Sequence, residues 1–189
     1  MSFTPTRLLL IRHAQSEWNA EGRWQGQADP ALSPLGHEQA TAVAERLAGE
    51  RVDRLFSSDL RRARETAEPL GAALGLTPVT APRLRELDVG EWAGLTREQI
   101  ERRDPAVLAR FDADDPDARP GGGETRREIR LRVRRALADL AAEHAGQRLA
   151  IVTHLGVIRA LLPGTELENA SFVETRADRL ASPDGDGSV

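Results

Sequence analysis

The sequence contains no cysteine, no tyrosine and no lysine, so all 26 of its basic residues are arginine. Without cysteine there are no disulfides, thiolate nucleophiles or thiolate metal sites. Without lysine there is no Schiff-base chemistry and no phosphate-loop lysine of the nucleotide triphosphatase kind. The nucleophiles that remain are His, Ser, Thr, Asp and Glu. Long apolar runs are missing too: none approaches the roughly 20 residues required to cross a bilayer. No basic stretch leads into an apolar segment with a small-residue cleavage site, so the expectation is a cytoplasmic protein with no membrane role. A net charge of −4 over 189 residues argues against general nucleic-acid binding, which calls for a basic surface.

That length suits one core, and a single domain over residues 1–180 is expected, with residues 181–189 as a disordered tail. The run Leu8-Leu9-Leu10-Ile11 reads as a strand buried on both faces, stopping abruptly at Arg12 and His13. Residues 19–30 are polar and turn-rich, a loop. Ser33-Pro34 is a helix start, with Ala40, Val43, Ala44 and Leu47 on one face. Residues 52–56 form a short strand, and Asp59 is the expected cap of the helix carrying Leu60, Ala63, Ala67, Leu70 and Leu74. Residues 77–80 begin a third strand. Thr96 with Gln99, and Thr125 with Glu128, have capping-box spacing, and Pro105 can open a helix through Phe111. Ile129, Val133, Leu137 and Leu140 make the second of these helices amphipathic. Residues 112–123 are a surface excursion, and Gly121 to Gly123 are no phosphate loop because no lysine follows. Residues 149–153 form a strand that ends at His154, 157–162 a helix, and 171–175 an edge strand. Strand and helix alternate, which predicts an α/β fold with a mainly parallel sheet.

On such a sheet His13 ends one strand, Arg62 opens the helix after another, and His154 ends a third. Parallel neighbouring strands would bring all three to one edge with Arg12, where open α/β sheets bind ligands. Two fixed cations, a histidine that can carry a proton and a histidine that can attack suit a phosphate. Glu86 can reach the same edge as acid or base, with Glu91 as the alternative; Arg61 and Arg64 are the alternatives to Arg62. His37 and His144 read as surface residues, and Arg126, Arg127, Arg130, Arg134 and Arg135 as a solvated face.

The segment Arg12-His13-Ala14-Gln15-Ser16-Glu17-Trp18-Asn19 resembles the signature of the histidine phosphatase superfamily, in the branch that includes phosphoglycerate mutase. The resemblance continues through Trp24-Gln25-Gly26, Leu32-Ser33-Pro34-Leu35-Gly36, and Ser57-Ser58-Asp59-Leu60-Arg61-Arg62-Ala63-Arg64-Glu65-Thr66-Ala67. Leu84-Arg85-Glu86, Gly90-Glu91-Trp92-Ala93-Gly94, Gly123-Glu124 and Val152-Thr153-His154 complete an ordered series over residues 8–162. It implies a three-layer α/β/α sandwich with a mainly parallel central sheet and an enzyme that uses neither cofactor nor metal. It implies His13 as the nucleophile that becomes phosphorylated, Arg12, Arg62 and His154 as the phosphoryl pocket, and Glu86 as the proton donor to the leaving oxygen. Asn19, Gln25 and Gly26 hold positions similar to ones that touch phosphate or substrate in relatives, and Leu155 lies beside His154.

Those residue types suit the chemistry. Neutral imidazole is nucleophilic near pH 7, arginine stays charged as negative charge gathers on the phosphoryl oxygens, and an alkoxide leaving group needs a proton. The expected activity is metal-independent hydrolysis of small phosphate monoesters, with inorganic phosphate as product and a homodimer as one assembly the sequence allows. A mutase is the alternative, disfavoured by the short chain; a non-catalytic binder of phosphorylated ligands is disfavoured by the joint presence of His13, Glu86 and His154. A zinc hydrolase is a weaker reading, since Arg12 and Arg62 would repel the cation. Ala14 stands where the family usually has glycine, and a positive φ there would cost about 1 kcal/mol. Leu155 replaces another frequent glycine, and the segment between Leu162 and Ser171 is shorter than in many relatives. Trp92, Phe111 and residues 112–123 are expected to form much of the substrate pocket.

Overall fold

The computed structural model describes residues 5–180, and the expected tail at 181–189 lies outside them. The chain runs β1 (Arg7–Arg12), α1 (Glu17–Ala20), α2 (Pro34–Leu47), β2 (Arg54–Ser57), α3 (Arg61–Leu74), β3 (Val79–Thr80), α4 (Arg97–Arg103), α5 (Pro105–Asp112), α6 (Arg126–Glu143), β4 (Arg148–Thr153), α7 (Leu155–Leu161), β5 (Phe172–Arg176) and α8 (Ala177–Leu180). The five strands form one sheet in the order β3-β2-β4-β1-β5, with β5 antiparallel at the edge and the other pairings parallel.

Residues 8–11 are inaccessible to solvent, and alternation along the strand sends them to opposite faces. Leu8 and Leu10 join Phe56, Leu149 and Ile151 against Val133 and Leu137 of α6 and Val157 and Ile158 of α7. Leu9 and Ile11 join Leu55, Ala150 and Val152 against Val43 of α2 and Ala63, Ala67 and Leu70 of α3. This is the α/β/α sandwich. Each fully buried leucine contributes about 1.5–3 kcal/mol, so the central strands are the most strongly held part of the fold.

The register aligns the strand ends. Arg12 pairs with Thr153 across β1 and β4, and Ser57 pairs with Val152 across β2 and β4. The residues that follow, His13, His154 and Ser58, therefore emerge side by side at one sheet edge.

Capping sets most helix starts as their spacing predicts. Ser33 accepts from the Gly36 N–H with Pro34 at the first helical position, and Thr96–Gln99 and Thr125–Glu128 both close capping boxes. Helix α3 departs from expectation: Leu60 is its cap residue and Asp59 gives it no hydrogen bond. Asp59 instead takes a bidentate pair from Arg85, at 2.8 and 2.5 Å. The free Arg61 N–H is satisfied by Asp29, far back along the chain, and the Leu32 N–H donates to Glu65 at 2.8 Å. These contacts pin residues 19–32 across the start of α3. That segment is also not all loop, since Ser16 and Asn19 close a capping box around α1.

Other expectations are corrected. Residues 52 and 53 precede β2. Ala14 does not have positive φ; it is fully buried and its N–H donates to Thr66 Oγ1 at 3.0 Å, so the alanine carries no strain. The His144 side chain is 14% exposed and packs on Phe56 with ring centroids 5.5 Å apart. Of the arginine face on α6, Arg127 and Arg135 are solvated, whereas Arg126, Arg130 and Arg134 are half-buried.

Candidate functional site

His13 is 3% exposed at the end of β1. Its Nδ1 lies 2.7 Å from the Ala14 carbonyl oxygen, which can only accept, so Nδ1 carries the proton and Nε2 keeps a free lone pair. Burial lowers the imidazole well below its ordinary pKa, and Arg62 and Arg12 push it the same way. The ring is neutral at pH 7 in the tautomer a nucleophile requires. It lines a cavity of about 370 Å³ with Arg12, Arg62 and Glu86.

Arg62 is fully buried in the first turn of α3. Its Nη1 donates to the Ala28 carbonyl at 2.7 Å and its Nη2 to the Gly26 carbonyl at 2.9 Å. Burial pushes its pKa down to about 10, against the pull of Glu86 and Asp29, so it remains a cation at neutral pH. Arg12 Nη1 donates to the Leu167 carbonyl at 2.6 Å. Among the described residues the buried Nε atoms of both arginines have no partner. Two fixed cations with donors to spare beside a neutral imidazole form a place for an anion.

His154 stands behind His13, with ring centroids 5.1 Å apart, and does not itself line the cavity. Burial holds its pKa well below the usual value, assisted by Arg62 and His13. Its Nε2 is 2.9 Å from Ser58 Oγ, which accepts from the Leu60 N–H at 3.3 Å, so the serine proton is free to go to the imidazole. Among the described residues its Nδ1 is buried without a partner.

Glu86 is held by backbone amides. Oε1 accepts from the Leu87 N–H at 2.7 Å and Oε2 from the Gly156 N–H at 3.2 Å. A Cβ on Gly156 would stand 2.2 Å from Oε1, so any larger residue there would push the Glu86 carboxyl out of this position. Arg132 grips the segment from behind, donating to the carbonyls of Arg83, Arg85 and Glu86 at 2.8–3.3 Å and pairing with Glu124 at 2.7 Å. This is the place of Gly123-Glu124 in the motif series. The alternative acid, Glu91, is out on the surface in a pair with Arg103.

Asn19, Gln25, Gly26 and Leu155 all border the cavity. Gln25 Oε1 accepts from Ser16 Oγ at 2.7 Å, and Gly26, at φ +51°, presents the carbonyl that holds Arg62. Phe111 lines the cavity as expected, but Trp92 does not. It is 1% exposed and sits behind Trp24, which forms the wall in its place, with the two rings edge to face at 5.4 Å. The short segment 162–171 contributes more than its sequence suggested. Asn169 Nδ2 donates to the His13 carbonyl at 2.9 Å, and Ala170, at φ +55°, donates its N–H to the carbonyls of Arg12 and His13. Among the described residues no three His, Asp or Glu side chains are placed to hold a metal ion.

The two buried histidines make stability depend on pH. Their folded pKa values lie below that of unfolded histidine, near 6.5. Below pH 6.5 the unfolded chain therefore binds protons that the native state refuses, and stability falls as pH falls. Each histidine contributes about 1.4 kcal/mol per pH unit until its own folded pKa is reached. Denaturant unfolding should show a lower midpoint at pH 5 than at pH 7, with the difference roughly halved in His13→Asn. Equal midpoints at both pH values would contradict this electrostatic picture. The carboxylates whose pKa values are depressed, such as Asp59 and Glu65, lose their contribution below about pH 4 to 5, where the unfolded carboxylates begin to protonate, and so hardly enter a comparison of pH 5 with pH 7.

Comparison with known proteins gives the family. A family model described as histidine phosphatase superfamily (branch 1) matches residues 8–178. A metal-independent phosphoserine phosphatase of Arabidopsis thaliana is 38% identical over 82% of this chain and 67% of its own. A glucosyl-3-phosphoglycerate phosphatase of Mycobacterium tuberculosis is 39% identical over 82% of this chain and 73% of its own. The solved structure of a mycobacterial glucosyl-3-phosphoglycerate phosphatase complexed with VO3 superposes with a TM-score of 0.81 at 37% identity, covering 89% of this chain and 91% of that one.

Proposed function

The chain belongs to the histidine phosphatase superfamily, branch 1, and as a phosphomonoesterase of that family we propose that it hydrolyses small phosphorylated metabolites through a phosphohistidine on His13. The observation that carries this reading is the tautomer: a carbonyl 2.7 Å from Nδ1 commits the ring to a free Nε2 lone pair beside two arginines.

In the first step Nε2 attacks phosphorus and the bond to the ester oxygen breaks. Arg12 and Arg62 hold the phosphoryl oxygens as charge spreads over them, and they need no reorganisation because backbone carbonyls already fix both guanidinium groups. His154 backs the nucleophile, its ring packed behind that of His13. Glu86 gives a proton to the departing alkoxide, which is a poor leaving group without one. In the second step the carboxylate takes a proton from water, which attacks the phosphohistidine and releases inorganic phosphate. Asn19, Gln25, Gly26 and Leu155 shape the mouth of the cavity around the ester. The relatives' names, a phosphoserine phosphatase and a glucosyl-3-phosphoglycerate phosphatase, support a phosphorylated small acid as substrate.

The test is to incubate the protein with radiolabelled phosphate esters in excess EDTA, quench with base, and look for acid-labile phosphate on a peptide containing His13. Label on His13 together with released phosphate is expected. Release that stops with chelator would point to a metal enzyme, isomerised ester without free phosphate to a mutase, and neither label nor release from any ester would remove the proposal.

A further inference from the structure

A second cavity, of about 420 Å³, opens beside the phosphoryl pocket and shares Leu87, Phe111, Gly156 and Arg159 with it. In a chain of net charge −4 its wall is strongly basic: Arg126, Arg127, Arg130 and Arg159 face a single acidic residue, Asp114. Arg127 is spoken for, in an exposed bidentate pair with Asp117 at 2.9 and 3.1 Å. The other three are held in place with donors left over.

Arg130 is anchored through Nε alone, which donates to the Ala160 carbonyl near the end of α7 at 3.0 Å. Among the described residues it forms no ion pair, so its charge is uncompensated. Arg126, one helical turn away, lies with its guanidinium carbon 4.1 Å from the centre of the Phe111 ring, and its buried Nε has no partner. Its one ionic contact is Asp114 at 3.1 Å, a side chain that is 84% exposed and so contributes little. Arg159 is tied by Nε to the Thr165 carbonyl at 3.1 Å and by Nη2 to the exposed Glu166 at 2.6 Å. Arg126 and Arg130 line only this cavity, and Arg159 lines both. Three guanidinium groups from two helices, each held by a carbonyl or an aromatic face, line one cavity with N–H donors to spare, and guanidinium groups suit carboxylates and phosphates.

Resting on the phosphatase reading above, we infer that Arg126, Arg130 and Arg159 form a subsite for a second anionic group on the substrate. The ester fits with its phosphate at His13, its body passing between Phe111 and Leu87, and its far acidic end, a carboxylate or a second phosphate, on the three arginines. A ligand anion there takes over from Asp114 and Glu166, which are free to return to solvent.

The experiment measures kcat/KM for matched linear monophosphates with three to seven carbons whose far end is a hydroxyl, a carboxylate, a phosphate or an amine. The best anionic ester is expected to exceed its hydroxyl counterpart by at least about tenfold, with the amine poorest, and the choice between carboxylate and phosphate names the anion. In Arg130→Gln the ratio of anionic to hydroxyl ester should fall toward one, whereas Arg135→Gln, a solvated position on the same helix, should keep it. If Arg130→Gln does not fold, the wild-type series alone decides. Equal kcat/KM across the four end groups, or a ratio unchanged in folded Arg130→Gln, overturns the subsite. Turnover of p-nitrophenyl phosphate separates this failure from failure of the phosphatase reading, because that ester carries no second charge.

Discussion

Replacement of His13 by alanine is expected to lower kcat/KM for phosphate monoesters by at least about 10⁴-fold and to abolish acid-labile labelling, with the fold retained. The size follows from the loss of a covalent step. The remaining arginines can still bind phosphate, but hydrolysis must then proceed by direct attack of water, with no positioned atom at phosphorus. The fold should survive because the ring's hydrogen bond is only to the carbonyl of the next residue, and the space left opens to the cavity His13 lines, where water can enter. Circular dichroism and the denaturation midpoint check that point. His154→Ala supplies the contrast. That ring stands behind His13 and does not line the cavity, so its loss should cost far less than loss of the nucleophile, and label should still form on His13. Label retained in His13→Ala and lost in His154→Ala would exchange the two roles.

Why these two histidines could be read from sequence, while other parts of the site could not, has a physical basis. An apolar run such as residues 8–11 or 149–152 has few ways to be buried except as a central strand, and a polar residue after it must stand at the sheet edge. His13 and His154 were therefore legible, as was Arg62 once strand, turn and helix were recognised around it. Asp59 was misread because capping by a local side chain is only one way to satisfy a helix N-terminus. Asp29 does it from a distant loop and frees Asp59 for Arg85. Asn169 and Ala170 carried no readable signal, since their work is done on backbone carbonyls and one of them is an alanine at φ +55°. Trp92 and Trp24 were exchanged for a similar reason: in irregular segments an aromatic side chain has no periodicity to say which face it takes. Gly156 fell between the strand ending at His154 and the helix expected at 157–162, and carried no signal, because its part is the room it leaves for Glu86.

Glu86→Gln is expected to reduce kcat/KM for alkyl phosphates by about 10²–10⁴-fold, and for p-nitrophenyl phosphate by less than about tenfold. kcat/KM reports the first step, in which an alkoxide must receive a proton as it leaves and nitrophenolate need not. The carboxylate has two amide donors on its two oxygens, and a carboxamide can satisfy only one of them with oxygen, so the variant loses both the proton and part of the geometry. Dephosphorylation also loses its base. The aryl ester should therefore give a rapid burst of about one nitrophenolate per enzyme, followed by slow turnover with the phosphohistidine accumulating. Equal losses in kcat/KM for both ester classes would take the acid role away from Glu86. Gly156→Ala separates geometry from proton supply. Its new Cβ would fall 2.2 Å from Glu86 Oε1 and turn the carboxyl away without removing it, and alanine in the first turn of α7 does not lower its helical propensity. The same discrimination between alkyl and aryl esters, in a protein at least as stable, would show that the position of the Glu86 carboxyl sets the rate as much as its presence does.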